Sequence, residues 1–352
     1  MTQNTDRKIR YGILATGNIA RQFAEGINDG ATLSSVQAVA SRSADKAQTF
    51  ATKHNIPTAH PNYDALLNDP NVDAIYNATP NNLHHEWTIR ALNAGKHVLC
   101  EKPFSLSSQQ TEEMFAAAEQ NNRLLAEAFM YFTHPLTQAY LEQIRQGAIG
   151  RPKLIRASFS YAAANPDTNS RFSTELAGGS LMDIGCYCVT LALLVAQSMS
   201  PTASEPSKIT CEAHLHPTGI DDYAAATLRF PNQLIVSFTC GMTAHLNNTT
   251  FISGDKGYIE IPIPWKPPVT GATYRIGRNA PPKQDNPNAG KAPTAPPLET
   301  FTIDAGKPLY ALEADAFADS ILTGSSLFIT PDFTRCTTRI LDELRQQAGL
   351  PF

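Results

Sequence analysis

The first 130 residues alternate between short apolar runs and stretches with the periodicity of a helix. Apolar side chains recur at Ala20, Phe23, Ala24 and Ile27, a spacing that predicts a helix with one buried face. Apolar runs predict strands at residues 8–14, 34–40, 72–76, 97–100 and 124–128, and the intervening patterns predict further helices at 44–54, around 87–95 and near 109–121. Strands that alternate with helices in this way indicate an α/β domain with a parallel, doubly wound sheet, here residues 1–130. This is the Rossmann architecture.

The pattern changes in the second part of the chain, residues 131–352. Strand-like runs lie at 153–161, 210–215, 223–230, 234–240 and 258–261, and several are joined by short turns. An apolar helix is predicted at 181–197, and two closing helices at 309–322 and 333–347. Residues 262–297 are rich in proline, glycine and asparagine, which predicts a long surface loop. We predict an α+β domain with a large, mainly antiparallel open sheet.

Length and charge narrow the class of protein. The 352 residues suit two domains, and 28 basic against 32 acidic residues give a net charge of −4, so charge does not favour binding to nucleic acid or to an anionic membrane. The N-terminus lacks the apolar segment of a signal peptide, and no apolar run is expected to span a bilayer. The six cysteines form no CxxC pair, as expected of free thiols in the cytoplasm.

A turn suited to a dinucleotide follows the first strand. Thr16, Gly17, Asn18 and Ile19 occupy the strand-to-helix position of the fingerprint G-x-G-x-x-G/A, where a glycine and a helix N-terminus approach a pyrophosphate. Ala15 replaces the first glycine, which requires a negative φ at that residue if alanine is to be tolerated.

The end of the second predicted strand indicates which dinucleotide is bound. An NAD site carries an acid there for the ribose 2′-hydroxyl, but this chain has Ser41 and Arg42, with Lys46 one turn later. Hydroxyl and guanidinium groups suit a 2′-phosphate, so we predict NADP(H) as the cofactor. The alternative is that Arg42 is an ordinary solvated residue.

Two further segments carry candidate chemistry. Glu101-Lys102-Pro103 ends an apolar strand, at the edge where open α/β sheets bind ligands, and the proline makes a cis Lys102–Pro103 bond plausible. Gly178-Gly179 opens an apolar helix on which Asp183 and Tyr187, four residues apart, should face the same way. The alternatives are a strand-ending turn with a solvated lysine and a tyrosine that only packs in the core.

These segments together resemble the Gfo/Idh/MocA oxidoreductases over nearly the whole chain. The resemblance rests on the turn at 15–20, Thr79-Pro80-Asn81 with His84, Glu101-Lys102-Pro103, and the Gly-Gly…Asp-x-Gly-x-Tyr stretch, with further matches at 127–131 and at Tyr310-x-x-Glu313. Many members have histidine where this chain has Tyr187. With tyrosine at this position, the chain is similar to the branch that contains glucose–fructose oxidoreductase, NADP-dependent D-xylose dehydrogenases, dimeric dihydrodiol dehydrogenases and some sugar ketoreductases. Thr190 replaces the acid of the family pattern, which argues against catalysis by an Asp–His pair.

The resemblance implies roles for these residues. Tyr187 would be the general acid/base, with Lys102 lowering the pKa of its phenol toward working pH, and Asp183 would hold a substrate hydroxyl or orient Lys102. Thr79, Pro80, Asn81, His84 and Glu101 would line the ribose and nicotinamide side. The paired His84 and His85 diverge on their helix, so no metal site is predicted.

The expected function is that of a cytoplasmic NADP(H)-dependent oxidoreductase acting on a pyranose sugar or cyclic polyol, with aldose (D-xylose-like) 1-dehydrogenation as the first choice. A trans-dihydrodiol dehydrogenase or a deoxysugar or anhydrosugar ketoreductase is the alternative within the enzyme class. A non-catalytic NADP(H)-binding sensor is the alternative outside it. The family resemblance and the apolar residues on both faces of the second sheet predict a homodimer or homotetramer.

Overall fold

A computed structural model describes residues 7–164, 166, 169–200, 205–278 and 297–350, which build two sheets. The first sheet is wholly parallel, with the strand order β3-β2-β1-β4-β5-β6. Its strands are β1 (Ile9–Leu14), β2 (Ser34–Ala40), β3 (Thr58–His60), β4 (Ala74–Asn77), β5 (His97–Glu101) and β6 (Leu125–Ala128). The helices that accompany it are α1 (Asn18–Gly30), α2 (Ala44–Lys53), α3 (Tyr63–Leu67), α4 (His84–Asn93) and α5 (Ser108–Gln120). The predicted Rossmann architecture is confirmed.

Helix α1 shows why the periodicity was informative. Ala20, Phe23, Ala24 and Ile27 are all buried, as the spacing predicts, and Phe23 stacks on Tyr76 of β4. The strand β3 and the helix α3 were not predicted. They contain three and five residues, which is too short for a hydrophobic period to be recognised.

The second sheet has eight strands in the order β14-β13-β12-β11-β7-β10-β9-β8. All neighbouring pairs are antiparallel except β7 and β10, which run parallel, so the prediction of a mainly antiparallel sheet is confirmed. The strands are β7 (Pro152–Ser160), β8 (Lys208–Leu215), β9 (Asp221–Arg229), β10 (Ile235–Gly241), β11 (Thr250–Gly254), β12 (Gly257–Ile261), β13 (Ala272–Arg278) and β14 (Leu298–Ile303). Their helices are α6 (Pro135–Arg145), α7 (Cys186–Met199), α8 (Leu309–Thr323) and α9 (Pro331–Gln347).

The predicted long loop at 262–297 is present at residues 262–271 but is wrong at residues 272–278. Strand β13 lies within that range and buries Ala272, Tyr274 and Ile276, with Tyr274 stacked on Phe301 of β14. The proline-rich composition hid a strand whose alternate side chains pack in the core. Residues 279–296 lie outside the described part of the chain.

The apolar helix of the second domain differs from its prediction in two respects. Its first turn, Leu181–Gly185, is a π-helix, and α7 follows directly. The continuous segment Leu181–Met199 is, by length and composition, able to span a bilayer, so the expectation that no run has that length is wrong. In this structure 78% of that segment is buried within the protein, as in a core helix.

The last two helices return to the first domain. Helix α8 packs on α1. The hydroxyl of Tyr11, on β1, also donates to the carbonyl of Ala314 on α8 at 3.0 Å. The carboxylate of Asp315 accepts from the backbone amides of Thr32 and Leu33 at 2.8 and 2.9 Å. The C-terminal segment therefore helps to fix the two sheets relative to each other, and with them the cleft between them.

Candidate active site

A single cleft collects the carboxyl ends of the Rossmann strands and the beginning of the π-helical turn. It encloses about 570 Å³. Ligands of open parallel sheets bind at this edge because the helix N-termini and strand ends converge there. Every residue predicted from the sequence to contact the cofactor lines this cleft: Thr16, Gly17, Asn18, Ile19, Ser41, Arg42, Lys46, Thr79, Pro80, Asn81, His84, Glu101 and Lys102.

The fingerprint turn offers the features that a diphosphate requires. Gly17 precedes α1 in an extended conformation, and a Cβ added there would meet no protein atom within 4 Å. No side chain caps the N-terminus of α1, and no acid lies in its first turn, so its amides and its positive dipole face the cleft. These residues fit the pyrophosphate of a dinucleotide.

Ala15 contradicts the expectation of a negative φ. Its φ is +79°, in the left-handed region that favours glycine, and its amide donates to the Ala40 carbonyl at 3.0 Å. An alanine in that region costs about 1–2 kcal/mol. The turn therefore keeps the conformation of a glycine fingerprint despite the substitution, because the bond to β2 holds it there.

Ser41, Arg42 and Lys46 lie together at the end of the cleft beyond β2. Ser41 is buried and accepts a bond from the Ser43 amide at 3.4 Å, whereas Arg42 is exposed. Ser43 caps α2 by accepting from the Lys46 amide at 3.4 Å. A hydroxyl, a guanidinium and an ammonium group thus surround a helix N-terminus, an arrangement suited to a phosphate monoester.

The middle of the cleft is built by side chains that brace its turns. Both ring nitrogens of the buried His84 face backbone carbonyls, those of Pro103 at 2.8 Å and Thr79 at 2.9 Å. Burial lowers the pKa of His84 to about 4, and the neutral ring, with a single N–H, can donate to only one of these two carbonyls while it packs against the other. The Lys102–Pro103 bond is cis, as predicted. Asn81 donates to the Ala177 carbonyl at 2.9 Å and ties this wall to the second domain.

Lys102 meets Asp183 at the inner end of the cleft. The Lys102 ammonium donates to the carboxylate of Asp183 at 3.0 Å and to its backbone carbonyl at 2.7 Å. The second carboxylate oxygen accepts from the Tyr161 hydroxyl at 2.7 Å and from Arg171 Nε at 2.9 Å. Burial disfavours the Asp183 charge, but Lys102, Arg171 and Tyr161 outweigh it and lower the pKa of the carboxyl. Asp183 is therefore a fixed anion that orients Lys102.

Lys102 keeps its proton at this position. Burial acts to lower the pKa of the ammonium group, but the charge of Asp183 more than compensates, and the pKa is raised. The lysine side chain is 12% exposed, so its remaining donor capacity can reach a ligand in the cleft. A buried cation with one open direction is suited to polarising a carbonyl or stabilising an alkoxide.

Tyr187 lies beside Lys102, behind the cleft wall. Its ring centroid is 5.3 Å from the Lys102 ammonium, and its hydroxyl contacts Met130 Sδ at 3.4 Å. Burial, together with the nearby Glu101, raises the pKa of the Tyr187 phenol well above its ordinary value. The predicted lowering of this pKa by Lys102 is therefore wrong in this structure, because the cation faces the ring and the hydroxyl is enclosed by apolar groups.

Two buried glutamates, Glu101 and Glu127, lie near Lys102, and a third, Glu313, lies near Glu101. Glu101 accepts bonds from the Tyr76 hydroxyl and the Lys102 amide, and burial raises its pKa. Burial also raises the pKa of Glu127 to about 8, and raises that of Glu313, whose oxygens have no hydrogen-bond partner among the described residues. Asp183 is therefore the carboxylate that contacts Lys102 and Arg171 directly, while burial acts against charge on these three glutamates.

Sequence reasoning missed Tyr161 and Arg171. Tyr161 follows β7, and Arg171 lies on a short 3₁₀ turn, Ser170–Phe172. Neither residue lies in a periodic or recognisable motif, so only the fold brings them to Asp183. Among the described residues, no cluster of three or more histidine, cysteine, aspartate or glutamate side chains is arranged to hold a metal ion.

Comparisons with known proteins define the class. A family model described as "Oxidoreductase family, NAD-binding Rossmann fold" matches residues 9–129, and the "GFO/IDH/MocA C-terminal domain" matches residues 137–260. A Mus musculus trans-1,2-dihydrobenzene-1,2-diol dehydrogenase is 36% identical over 260 residues, which is 74% of this chain and 76% of that protein. The chain belongs to the GFO/IDH/MocA oxidoreductase family.

Solved structures with the same fold extend over both domains. A 3-ketoreductase from Actinomadura kijaniata, in complex with NADP and TDP-benzene, is 28% identical with a TM-score of 0.82, covering 97% of this chain and 98% of that one. Similar structures of its variants replace one lysine by alanine or glutamate, or one tyrosine by phenylalanine. An aldose-aldose oxidoreductase from Caulobacter crescentus, complexed with glycerol, is 26% identical with a TM-score of 0.79 and the same coverage.

Proposed function

We propose that this chain is an NADP(H)-dependent oxidoreductase that transfers hydride between nicotinamide and a carbinol or carbonyl carbon of a pyranose sugar or cyclic polyol. The observation that carries the proposal is the pair formed by Lys102 and Asp183, at 3.0 Å, in the cleft that begins at the fingerprint turn. The nicotinamide ring would supply or accept the hydride. The protein groups then have to orient the substrate oxygen and manage one proton.

The roles of the side chains follow from their surroundings. Lys102, held cationic by Asp183, would donate to the substrate oxygen and stabilise negative charge on it. Tyr187 remains our candidate for the proton. Among the described residues its hydroxyl makes one weak bond, to a thioether sulfur, and it can turn toward a substrate oxygen that reaches it. Asp183 would position Lys102.

The phosphate end of the cleft supports NADP(H). No acid stands where an NAD site needs one, while Ser41, Arg42 and Lys46 line the cleft. The 3-ketoreductase with the same fold is in complex with NADP.

Replacing Arg42 with alanine should weaken NADPH binding and leave NADH binding almost unchanged. One charge-assisted contact to the 2′-phosphate is worth about 1.5–3 kcal/mol, roughly a tenfold to hundredfold change in affinity. Fluorescence titration of both cofactors at moderate ionic strength measures this. Arg145→Ala removes an arginine that pairs with Glu142 on the surface, and this variant serves as the control. Equal tightness of NADH and NADPH in the unmutated protein would contradict the preference.

Identifying the substrate requires an activity assay with a panel of compounds. Aldose 1-dehydrogenation of a D-xylose-like sugar is the first candidate, and the aldose-aldose oxidoreductase with the same fold supports it. The second candidate is a cyclic trans-diol or a ketosugar, favoured by the dihydrodiol dehydrogenase and the 3-ketoreductase. A non-catalytic NADP(H) sensor is the third alternative, against which family membership argues.

The test follows NADPH fluorescence while aldoses, trans-1,2-dihydrobenzene-1,2-diol and ketosugars are supplied with the matching cofactor form. We expect turnover of at least one ring compound and none in Lys102→Met. Tight NADPH binding without turnover of any compound would support the sensor, and failure to bind either dinucleotide would refute the proposal altogether.

We also propose that the chain acts in the cytoplasm as a homodimer or homotetramer. Cys100, Cys186, Cys188, Cys211 and Cys240 are buried free thiols, as suits a reducing compartment. Leu154, Tyr223 and Ile235 lie on neighbouring strands of the second sheet with 46%, 44% and 39% of their surface exposed. Several exposed apolar side chains on one sheet are typical of a surface that contacts a partner.

Replacing Ile235 with glutamate should reduce the mass measured by light scattering at micromolar concentration to that of a monomer, because the new charge would be buried against the second copy. Val269→Glu places the same charge on an exposed apolar residue outside the strands and should leave the mass unchanged. A monomeric unmutated protein would reject the oligomer.

A further inference from the structure

Asp221 holds the beginning of the active-site helix from outside that helix. It starts β9, and only 3% of its surface is exposed. One carboxylate oxygen accepts both the Ser180 hydroxyl and the Leu181 amide, each at 2.7 Å. An oxygen that accepts a first-turn amide is the role of a helix N-cap, here supplied by a strand of the sheet.

The glycines before the helix allow this contact. Gly179 has a φ of +116°, and a Cβ added there would lie 2.2 Å from the other Asp221 oxygen. A Cβ on Gly178 would lie 2.0 Å from the carbonyl of Arg171. Both residues therefore have to be glycine for the loop to pass between the Asp221 carboxylate and the Arg171 backbone.

The same loop continues into the catalytic cluster. The Gly179 amide donates to the Arg171 carbonyl at 2.9 Å, and the Asp183 amide donates to the Gly179 carbonyl at 2.9 Å. Arg171 returns to the Asp183 carboxylate through its Nε. Asp221 thus holds Ser180 and Leu181, the residues between Gly179 and Asp183, and Asp183 in turn contacts Lys102.

We propose that Asp221 is a positioning residue: its ionised carboxylate fixes the π-helical turn so that both the backbone carbonyl and the carboxylate of Asp183 meet Lys102. The effect on turnover rests on the proposed function, whereas the anchoring itself does not. A displacement of about 1 Å at a catalytic group can lower the rate by about 10²-fold, so loss of the anchor should be visible in kcat.

The surroundings of Asp221 make this anchor sensitive to pH. Burial raises its pKa to about 6, although Ser180, Leu181 and the charge of Arg345 act in the opposite direction. The other titratable groups near it are Cys211 on β8 and Cys240 on β10, whose pKa values are both raised by burial and by the charge of Asp221, so both thiols stay neutral. Asp222, the next residue, bonds to His214 and Thr243 instead.

The sign of the pH effect follows from the raised pKa. Because burial favours the neutral acid, the charged form of Asp221 does not stabilise the fold. The free energy of unfolding should therefore increase as the pH falls below about 6 and Asp221 takes up a proton. Asp221→Asn should therefore remain folded at neutral pH. Its amide oxygen can accept the same two donors, but these bonds lose their charge assistance.

The decisive test is the pH profile of kcat for carbonyl reduction by the full-length protein at saturating NADPH, the direction in which the Tyr187 phenol acts in its protonated form and adds no slope near pH 6. We expect a decline in unmutated protein below about pH 6, no such decline in Asp221→Asn, and a kcat lowered by about 10²-fold in Asp221→Ala. Ser180→Ala removes a donor to the ionised form, so its decline should begin at higher pH. Asp222→Asn is the control and should keep the original profile. An unchanged decline in Asp221→Asn would overturn the proposal.

A second measurement is independent of turnover. Amide hydrogen exchange of the segment 179–188 should be at least tenfold faster in Asp221→Ala than in the unmutated protein. Exchange in Asp221→Asn, which keeps the acceptor but loses the charge, should lie between the two, while Asp222→Asn should match the unmutated protein. If no compound is turned over, the proposed function fails, and hydrogen exchange alone tests whether Asp221 anchors the π-helical turn. Equal exchange in Asp221→Ala and in the unmutated protein would refute it.

Discussion

Replacing Lys102 with methionine is expected to lower turnover by at least about 10²–10³-fold, the loss typical of removing one donor to a developing oxyanion. Methionine keeps the length of the side chain but removes its charge and its donors. Asp183 would keep its bonds from Tyr161 and Arg171, so the cleft should retain its shape. NADPH affinity should change little, because Ser41 and Arg42 lie at the other end of the cleft. Single-turnover kinetics with saturating cofactor measures the loss.

A second buried lysine provides the matched control. Lys96 donates to the carbonyls of Asp69 and Val72, both at 2.7 Å, and does not line the cleft. Lys96→Met should therefore lower the melting temperature and leave kcat near that of the unmutated protein. If Lys102→Met kept turnover within tenfold of the unmutated protein, the role of Lys102 at the substrate oxygen would be wrong.

The sequence predicted those parts of the fold whose signal is local. The buried stripe of α1 and the alternation along β9 are each contained in one short segment, and both elements occur as expected. The positions of Gly17, Arg42 and Lys102 follow from the same logic, since a residue at the end of a parallel strand faces the ligand edge. Their shared cleft is a consequence of the strand order.

The features that could not be predicted from the sequence depend on contacts between distant segments. Strand β13 was hidden in a proline-rich stretch because its burial comes from β12 and β14. The φ of Ala15 is set by its bond to β2, and the π-helical turn begins at an anchor supplied by β9. The pKa of Tyr187 was predicted from its neighbour Lys102 alone, whereas the aromatic surroundings of the phenol decide its direction.

Replacing Tyr187 with phenylalanine should leave the fold and NADPH binding intact while turnover falls by about 10²–10⁴-fold, as expected when an acid/base group is lost. Only the hydroxyl is removed, and its bond to the Met130 sulfur contributes little to stability. Alcohol oxidation needs the ionised phenol. Because burial raises its pKa, the oxidation rate of the unmutated protein should keep rising with pH up to at least about 10, the ordinary value for tyrosine. Tyr187→Phe should lose that slope.

Tyr161 offers the matched comparison, because it is the other phenol of the site. Its hydroxyl donates to Asp183, which has Lys102 and Arg171 as well, so we expect Tyr161→Phe to lower turnover by only about tenfold. Combining Tyr187→Phe with Lys102→Met should be little worse than the poorer single variant, since groups that act together are strongly non-additive. If Tyr161→Phe lowered turnover more than Tyr187→Phe does, and its oxidation rate no longer rose with pH, Tyr161 would be the group that transfers the proton. Near-normal turnover in Tyr187→Phe at saturating cofactor would remove Tyr187 from the mechanism.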